Sequence, residues 1–357
     1  MKGTILTALA AGALILAGCT KTEVTDVPDS RAISFDKFVT NAVKSSITEK
    51  TDLSKFYVYG YYGTTPTDVF TNQEVQVAWE QDSPTCTYSP SKYWIENEPY
   101  YFAAYSDGND KIDNGHITYA DESGRTGHLT INYTVDAFDD DLLYSYADNS
   151  NTGYIYTAGT EMNPVPFDFK HILSKVTFQF SKAADLNNTT LTISDFKVNL
   201  IKTATFTGSD IADVQYPIST WNTTSGSKVD YTTFSAETLT LDQDVIAGKE
   251  VTKEETGFTA IPQNLGSEGT AYKISFSVTY DDPTTGDNET TTRTFEVEIN
   301  GTENGKWNPG YHYIYTAEIK AVNLELMPIV FTVNSVEKWN EENVADEIIG
   351  KDEGTIQ

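Results

Sequence analysis

The segment YKISFSVTY (272–280) decides the fold. Tyr272, Ile274, Phe276, Val278 and Tyr280 fall on one side of it, and Lys273, Ser275, Ser277 and Thr279 on the other. Side chains of an extended chain alternate between two faces. A strict period of two over this length therefore predicts a strand with one buried face. TFEVEI (294–299), KVTFQFS (175–181) and YHYIYTAEI (311–319) repeat the pattern. Further strands are predicted over KFYVYGYY (55–62), PYYFAAYS (99–106), HLTINYTV (128–135), DLLYSYA (141–147), LTISDFKVNL (191–200) and GFTAIP (257–262). Turn-forming stretches separate them, among them SDGND (106–110), ESGRTG (122–127) and DDPTTGDN (281–288). Only NEENVADEIIGK (340–351) has the composition of a short helix outside the leader.

Many short strands spaced by turns imply antiparallel β-sandwiches. One sheet of this many strands would curl or split, so the 357 residues are expected to form an all-β protein of two tandem sandwiches. The pattern breaks near TAGTEMNPVPF (157–167), at Gly159, Pro164 and Pro166. The expected division is a leader over 1–18, a tether over 19–31, a first sandwich over 32–165 and a second over 166–357.

The leader reads LILAGCTKTE at 14–23, with Lys2 as the only charge before Cys19. A short positive start and an apolar run too short to span a bilayer describe an export signal. Leu16-Ala17-Gly18-Cys19 resembles a bacterial lipobox, which implies cleavage before Cys19, lipid on its thiol and acylation of the new amino terminus. Each buried CH2 of such chains contributes roughly 0.8 kcal/mol, and several chains anchor stably. That leaves Cys86 as the one remaining cysteine, so no internal disulfide is expected and packing must hold the fold. The net charge of −28 argues against nucleic-acid partners and against a polybasic membrane surface.

No G-x-S-x-G, H-E-x-x-H, Walker A or dinucleotide glycine pattern occurs. His116, His128, His171 and His312 are scattered, and His171 and His312 lie in apolar strands as structural histidines do. No catalytic residue, cofactor or metal ligand set is assigned. Two acidic clusters, Asp136/Asp139/Asp140/Asp141 and Asp281/Asp282/Asp287/Glu289, have oxygen ligands for calcium but not the spacing of a calcium loop.

VPFDFKHILSKVTFQF (165–180), with Phe169, His171, Ser174 and Lys175, resembles the strand that opens the second half of the fimbrillins of Bacteroides-type bacteria. FTAIPQNL (258–265), KWNPGYHYIYTAEI (306–319) and PIVFTVNSVEKWNEE (328–342), with Val336 and Trp339, resemble later segments of that family, and RAISFDKF (31–38) an early one. The resemblance implies Greek-key, transthyretin-like sandwiches in a subunit of a type V pilus, exported as a lipoprotein to the outer membrane or the fimbrium. It further implies partners of the same or a related kind joined by β-strand addition, after a surface protease trims the N-terminal segment. Arg31, in VPDSRAISF (27–35), is the candidate cleavage site. Ile329, Phe331 and Val333 mark a candidate donor strand, which either completes a neighbour or closes its own sandwich. A pilus of this kind would meet a ligand on a host or bacterial surface. The competing reading is a glycan-binding surface lipoprotein that stacks aromatics such as Trp79, Trp94 and Trp221 on sugars; the same residues would otherwise fill the cores.

Replacing Cys19 by Ala is expected to abolish labelled-palmitate incorporation and detergent-phase partitioning. A variant that keeps both properties would rule out the lipobox.

Overall fold

The computed structural model describes residues 31–39, 53–80, 83–108, 112, 116–119, 127–209, 220–266, 272–281, 290–299, 305–325 and 327–339. Cys19, the tether preceding Arg31, the short helix expected over 340–351 and most of the 281–289 acidic tip lie outside them.

The longest sheet runs in the order β1 (Phe35–Val39), β10 (Val165–His171), β8 (Leu143–Ala147), β5 (Pro99–Ser106), β2 (Lys55–Tyr62), β3 (Thr67–Glu80), β4 (Ser83–Thr87), with β9 (Tyr154–Ile155) on β5. The segments expected over 55–62 and 99–106 are β2 and β5, residue for residue. Both are apolar on both faces. Phe56, Val58, Tyr100, Phe102 and Ala104 enter one core, and Tyr59, Tyr61, Ala103 and Tyr105 enter another. Cross-strand tyrosines stack on the second face, Tyr57 on Tyr105 at 5.3 Å and Tyr61 on Tyr101 at 5.1 Å, where such pairs stabilise a ladder.

That second face packs on a four-stranded sheet of β6 (Ile117–Thr118), β7 (Thr130–Thr134), β13 (Thr203–Thr207) and β14 (Trp221–Asn222). Tyr144 meets Phe206 edge-on at 5.0 Å across the gap. The second sandwich pairs two further sheets. One runs β17 (Glu254–Ala260), β11 (Ser174–Lys182), β20 (Tyr311–Ile319), β21 (Thr332–Lys338). The other runs β15 (Lys228–Tyr231), β12 (Leu191–Ile201), β18 (Lys273–Asp281), β19 (Thr290–Glu298), with β16 (Leu239–Leu241) on β12. Phe180 bridges them, 5.8 Å from Phe196 and 5.2 Å from Phe276. One helical turn, α1 (Ala321–Glu325), leads into the last strand.

Three features depart from the sequence reading. The ladders β1/β10 and β11/β20 run parallel, because each joins strands whose connection passes through another sheet. Residues 203–207 and 221–222, from the second half of the chain, complete the sheet of β7. The expected division at 165/166 falls where β10 begins, and β10 hydrogen-bonds to β1 and β8 of the first sheet. We therefore place the crossover at Ile172–Leu173. Pro166 is tolerated because it is the second residue of β10, with its nitrogen on the side away from β1 and ahead of Lys170 and His171, where the β8 ladder is registered.

Phe35 fills the first core from the edge strand, 5% exposed. Phe35→Ala is expected to destabilise the protein by about 3–5 kcal/mol, read by urea unfolding. A change below about 1 kcal/mol would mean that β1 is not seated in solution.

Candidate functional site

The two terminal strands carry the site residues that the sequence singled out. At the N-terminal end, Trp94 N–H donates to the Arg31 carbonyl at 3.0 Å and Ile33 N–H to the Lys92 carbonyl at 2.8 Å. Ala32 bridges Tyr93. Arg31 Nη2 donates to the Trp94 carbonyl at 3.1 Å, and its guanidinium stands 5.8 Å over the Tyr156 ring. Arg31, expected in a tether, is thus paired to the body of the first sandwich. It precedes Ile33 and Phe35, so a cut after it leaves both in place. Phe35 sits among Phe70 at 5.3 Å, Phe167 at 5.5 Å, Tyr88 at 5.6 Å, Phe102 at 5.8 Å and Phe56 at 6.4 Å. The Tyr88 hydroxyl donates to the Ile33 carbonyl at 2.7 Å, and burial raises its pKa.

At the C-terminal end, β21 pairs antiparallel with β20 of its own sandwich. Ile329 is buried, Phe331 and Val333 are half-buried, and Val330 between them is 70% exposed. Phe331 meets Phe178 at 5.3 Å and Phe180 at 5.5 Å. Trp339 closes the strand, buried, with its ring stacked 4.4 Å from that of His171. Its amide donates to the Gly310 carbonyl at 2.7 Å. Of the candidate donor residues, Val333 lies in β21 at the edge of its own sheet, and Ile329 and Phe331 lie in the stretch just before it.

The remaining candidates have partners within the protein. Asp141 Oδ1 accepts from His171 Nδ1 and from Leu142 N–H, each at 2.8 Å. Asp140 caps its turn, accepting from Asp136 N–H at 2.7 Å and Ala137 N–H at 3.0 Å. Asp136 holds Lys202 at 2.9 Å. His128 Nδ1 lies 3.3 Å from the Tyr144 hydroxyl, and His312 Nε2 lies 2.8 Å from the Thr177 hydroxyl. Burial, with Lys175 adding to it, pushes the His312 imidazole down to about 4. Trp94 and Trp221 are core residues, so neither offers a face to a sugar. Cys86 is half-buried on β4.

A family model described as fimbrillin-like matches residues 40–339. Among solved structures, a fimbrial protein from Bacteroides vulgatus is 18% identical with a TM-score of 0.51, the match covering 87% of this chain and 99% of that one. A protein from Bacteroides uniformis is 15% identical over 87% of this chain and 99% of that one, with a TM-score of 0.45. The C-terminally truncated tip fimbrial protein Mfa3 of Porphyromonas gingivalis is 9% identical over 84% and 97%, with a TM-score of 0.38. Curated proteins give no match.

The buried His312 sets a pH dependence. Above pH 6.5, its ordinary value, the ring is neutral whether the chain is folded or not. As pH falls toward about 4 the unfolded chain takes up a proton that the folded one refuses, so stability falls in that window. The loss is at most on the order of 3 kcal/mol. His312→Gln is expected to flatten the difference between pH 6.5 and 4.5 relative to the unaltered chain, measured by urea midpoints. Parallel curves would remove His312 from the account.

Proposed function

The chain belongs to the fimbrillin-like family of pilus-type, cell-surface adhesion subunits, and we propose that it is a lipid-tethered precursor that joins its neighbours by strand exchange. The carrying observation is a spacing shared by the stretches that lead into β1 and β21. Ile33-Ser34-Phe35 and Ile329-Val330-Phe331 each turn isoleucine and phenylalanine inward and the middle residue to solvent. A segment of the second kind presents the same two side chains, two residues apart, that the β1 groove already accepts. β1 is also an edge strand, paired through β10 alone. Its replacement would exchange the β1/β10 ladder for a new one, with main-chain bonds supplying affinity and the Ile and Phe pockets supplying specificity.

In this reading Cys19 holds the precursor in the outer membrane through its lipid, and cleavage after Arg31 separates chain from lipid. That cut does not empty the groove, because Ile33 and Phe35 follow it. The groove opens when β1 is displaced as a strand. The donor leaves its own β20 edge at the cost of the Phe331 and Trp339 contacts, so the transfer proceeds where the aromatic pocket around Phe35 outweighs them.

A chain lacking residues 32–39 is expected to bind a labelled peptide of residues 328–339, read by fluorescence polarisation. The intact chain, its groove filled, is expected not to. Rescue by a peptide of residues 31–40 but not by 328–339 would falsify donation by this segment. The same 328–339 peptide carrying Phe331→Asp is expected to lose binding.

A further inference from the structure

A cleft of about 260 Å³ opens on the outer face of the β17–β11–β20 sheet, against the loop that precedes β8. It is built across three strands. Register places His312, Lys175 and Thr259 in one row, and Thr177 and Gly257 in the next. The floor is flat at Gly257, where a Cβ would come 2.4 Å from the Val176 carbonyl oxygen. The loop is fixed to the sheet by the Thr259 amide, which donates to the Phe138 carbonyl at 2.9 Å. Phe138 stands at the rim with 39% of its surface exposed, adding an aromatic face to a lining that is more apolar than polar.

The lining alternates in character. Asp139 and Glu255 bring carboxylate acceptors, Lys175 an ammonium donor and Thr177 a hydroxyl. Thr259 is 2% exposed, and its Oγ1 is buried with no hydrogen-bond partner. Buried polar atoms in this state are few in native proteins and call for a reason. His312, its pKa lowered by burial, adds an uncharged ring whose Nε2 is held by the Thr177 hydroxyl at 2.8 Å. Two carboxylates oppose an anionic ligand, and Lys175 opposes a cationic one. A neutral molecule that donates and accepts around its whole rim satisfies such a lining, and one with a C–H face suits the exposed ring of Phe138. The volume lies just below the roughly 300–1,000 Å³ of small-molecule sites, which limits the occupant to about one ring.

We propose that this cleft binds a single neutral sugar ring, the terminal residue of a glycan, between Phe138 and the Lys175–Thr177–Thr259 face. This goes beyond the pilus reading and does not depend on strand exchange.

Saturation-transfer NMR on the full chain tests it, with the methyl glycosides of glucose, galactose, mannose, fucose and N-acetylglucosamine as neutral probes and N-acetylneuraminic acid as an anionic comparison, all at millimolar concentration. Transfer to at least one of the neutral probes is expected, with a dissociation constant on the order of 1 mM. Phe138→Ala and Asp139→Asn are each expected to weaken it at least about tenfold. Both side chains are exposed, and an unchanged melting temperature checks that the variants fold. Silence from all five sugars overturns the proposal. So does transfer that survives both substitutions, which would put the sugar elsewhere. Transfer to N-acetylneuraminic acid and to none of the neutral sugars overturns the ligand class.

Discussion

The centre of the eight-stranded sheet, β2, β5 and β8, is buried on both faces, and the rest of the molecule is arranged around that constraint. One face supplies Phe56, Phe102, Phe167 and Phe169 to the first core. The other supplies Tyr59, Tyr105 and Tyr144 to a core that continues, without a break, to Tyr315 and Trp339. A sheet apolar on both sides needs a cover on each. β6 and β7 do not suffice for the second face, so β13 and β14 are drawn across from the other half of the chain. The two sandwiches are thereby packed through one continuous core rather than hung on a linker.

The crossover at Ile172–Leu173 is correspondingly stapled. Ile172 N–H donates to the Leu142 carbonyl at 2.9 Å, and Gly310 N–H to the Leu173 carbonyl at 2.7 Å. The Trp221 indole donates to the Ile172 carbonyl at 2.7 Å. Just before it, His171 is held by Asp141 and covered by Trp339. Taking β21 out of its sheet would uncover this fully buried histidine–carboxylate pair. Leaving such a pair half-solvated is costly, so the state of the closing strand is linked to the junction between sandwiches. At the other terminus one ring, Phe35, holds the edge strand. The first and last described strands are thus fastened by aromatic rings, Phe35 at one and Phe331 with Trp339 at the other.

The acidic surface reads differently once placed. Asp136, Asp140 and Asp141, adjacent in sequence and suggestive of a cation site, hold Lys202, their own turn and His171 respectively. The candidate cleft shows the converse. Lys175, Thr177, Thr259 and His312 fall inside segments that carry the family resemblance, but nothing in those segments joins them with Glu255 into a site, because they lie on three strands far apart in the chain. A polar residue alternating with core residues reads as solvent-facing, and the sequence holds no sign that β17, β11 and β20 bring five of them together beneath Phe138.

By itself the sequence determined the all-β class and the position of each strongly alternating strand. Residues 273–281 and 311–319 are strands because one face meets a core and the other water, and a period of two records that contrast directly. It also carried the family resemblance and the shared Ile-x-Phe of the terminal segments. Tertiary structure alone decided strand order: the parallel β1/β10 ladder, the loan of β13 and β14 to the first sandwich, and the assignment of β10 to the first sheet. Backbone hydrogen bonds between distant strands use groups that every residue possesses, so pairing leaves no mark in side-chain order. The cleft belongs with these, since register across three strands, and not spacing along one, put its groups within reach of a common ligand.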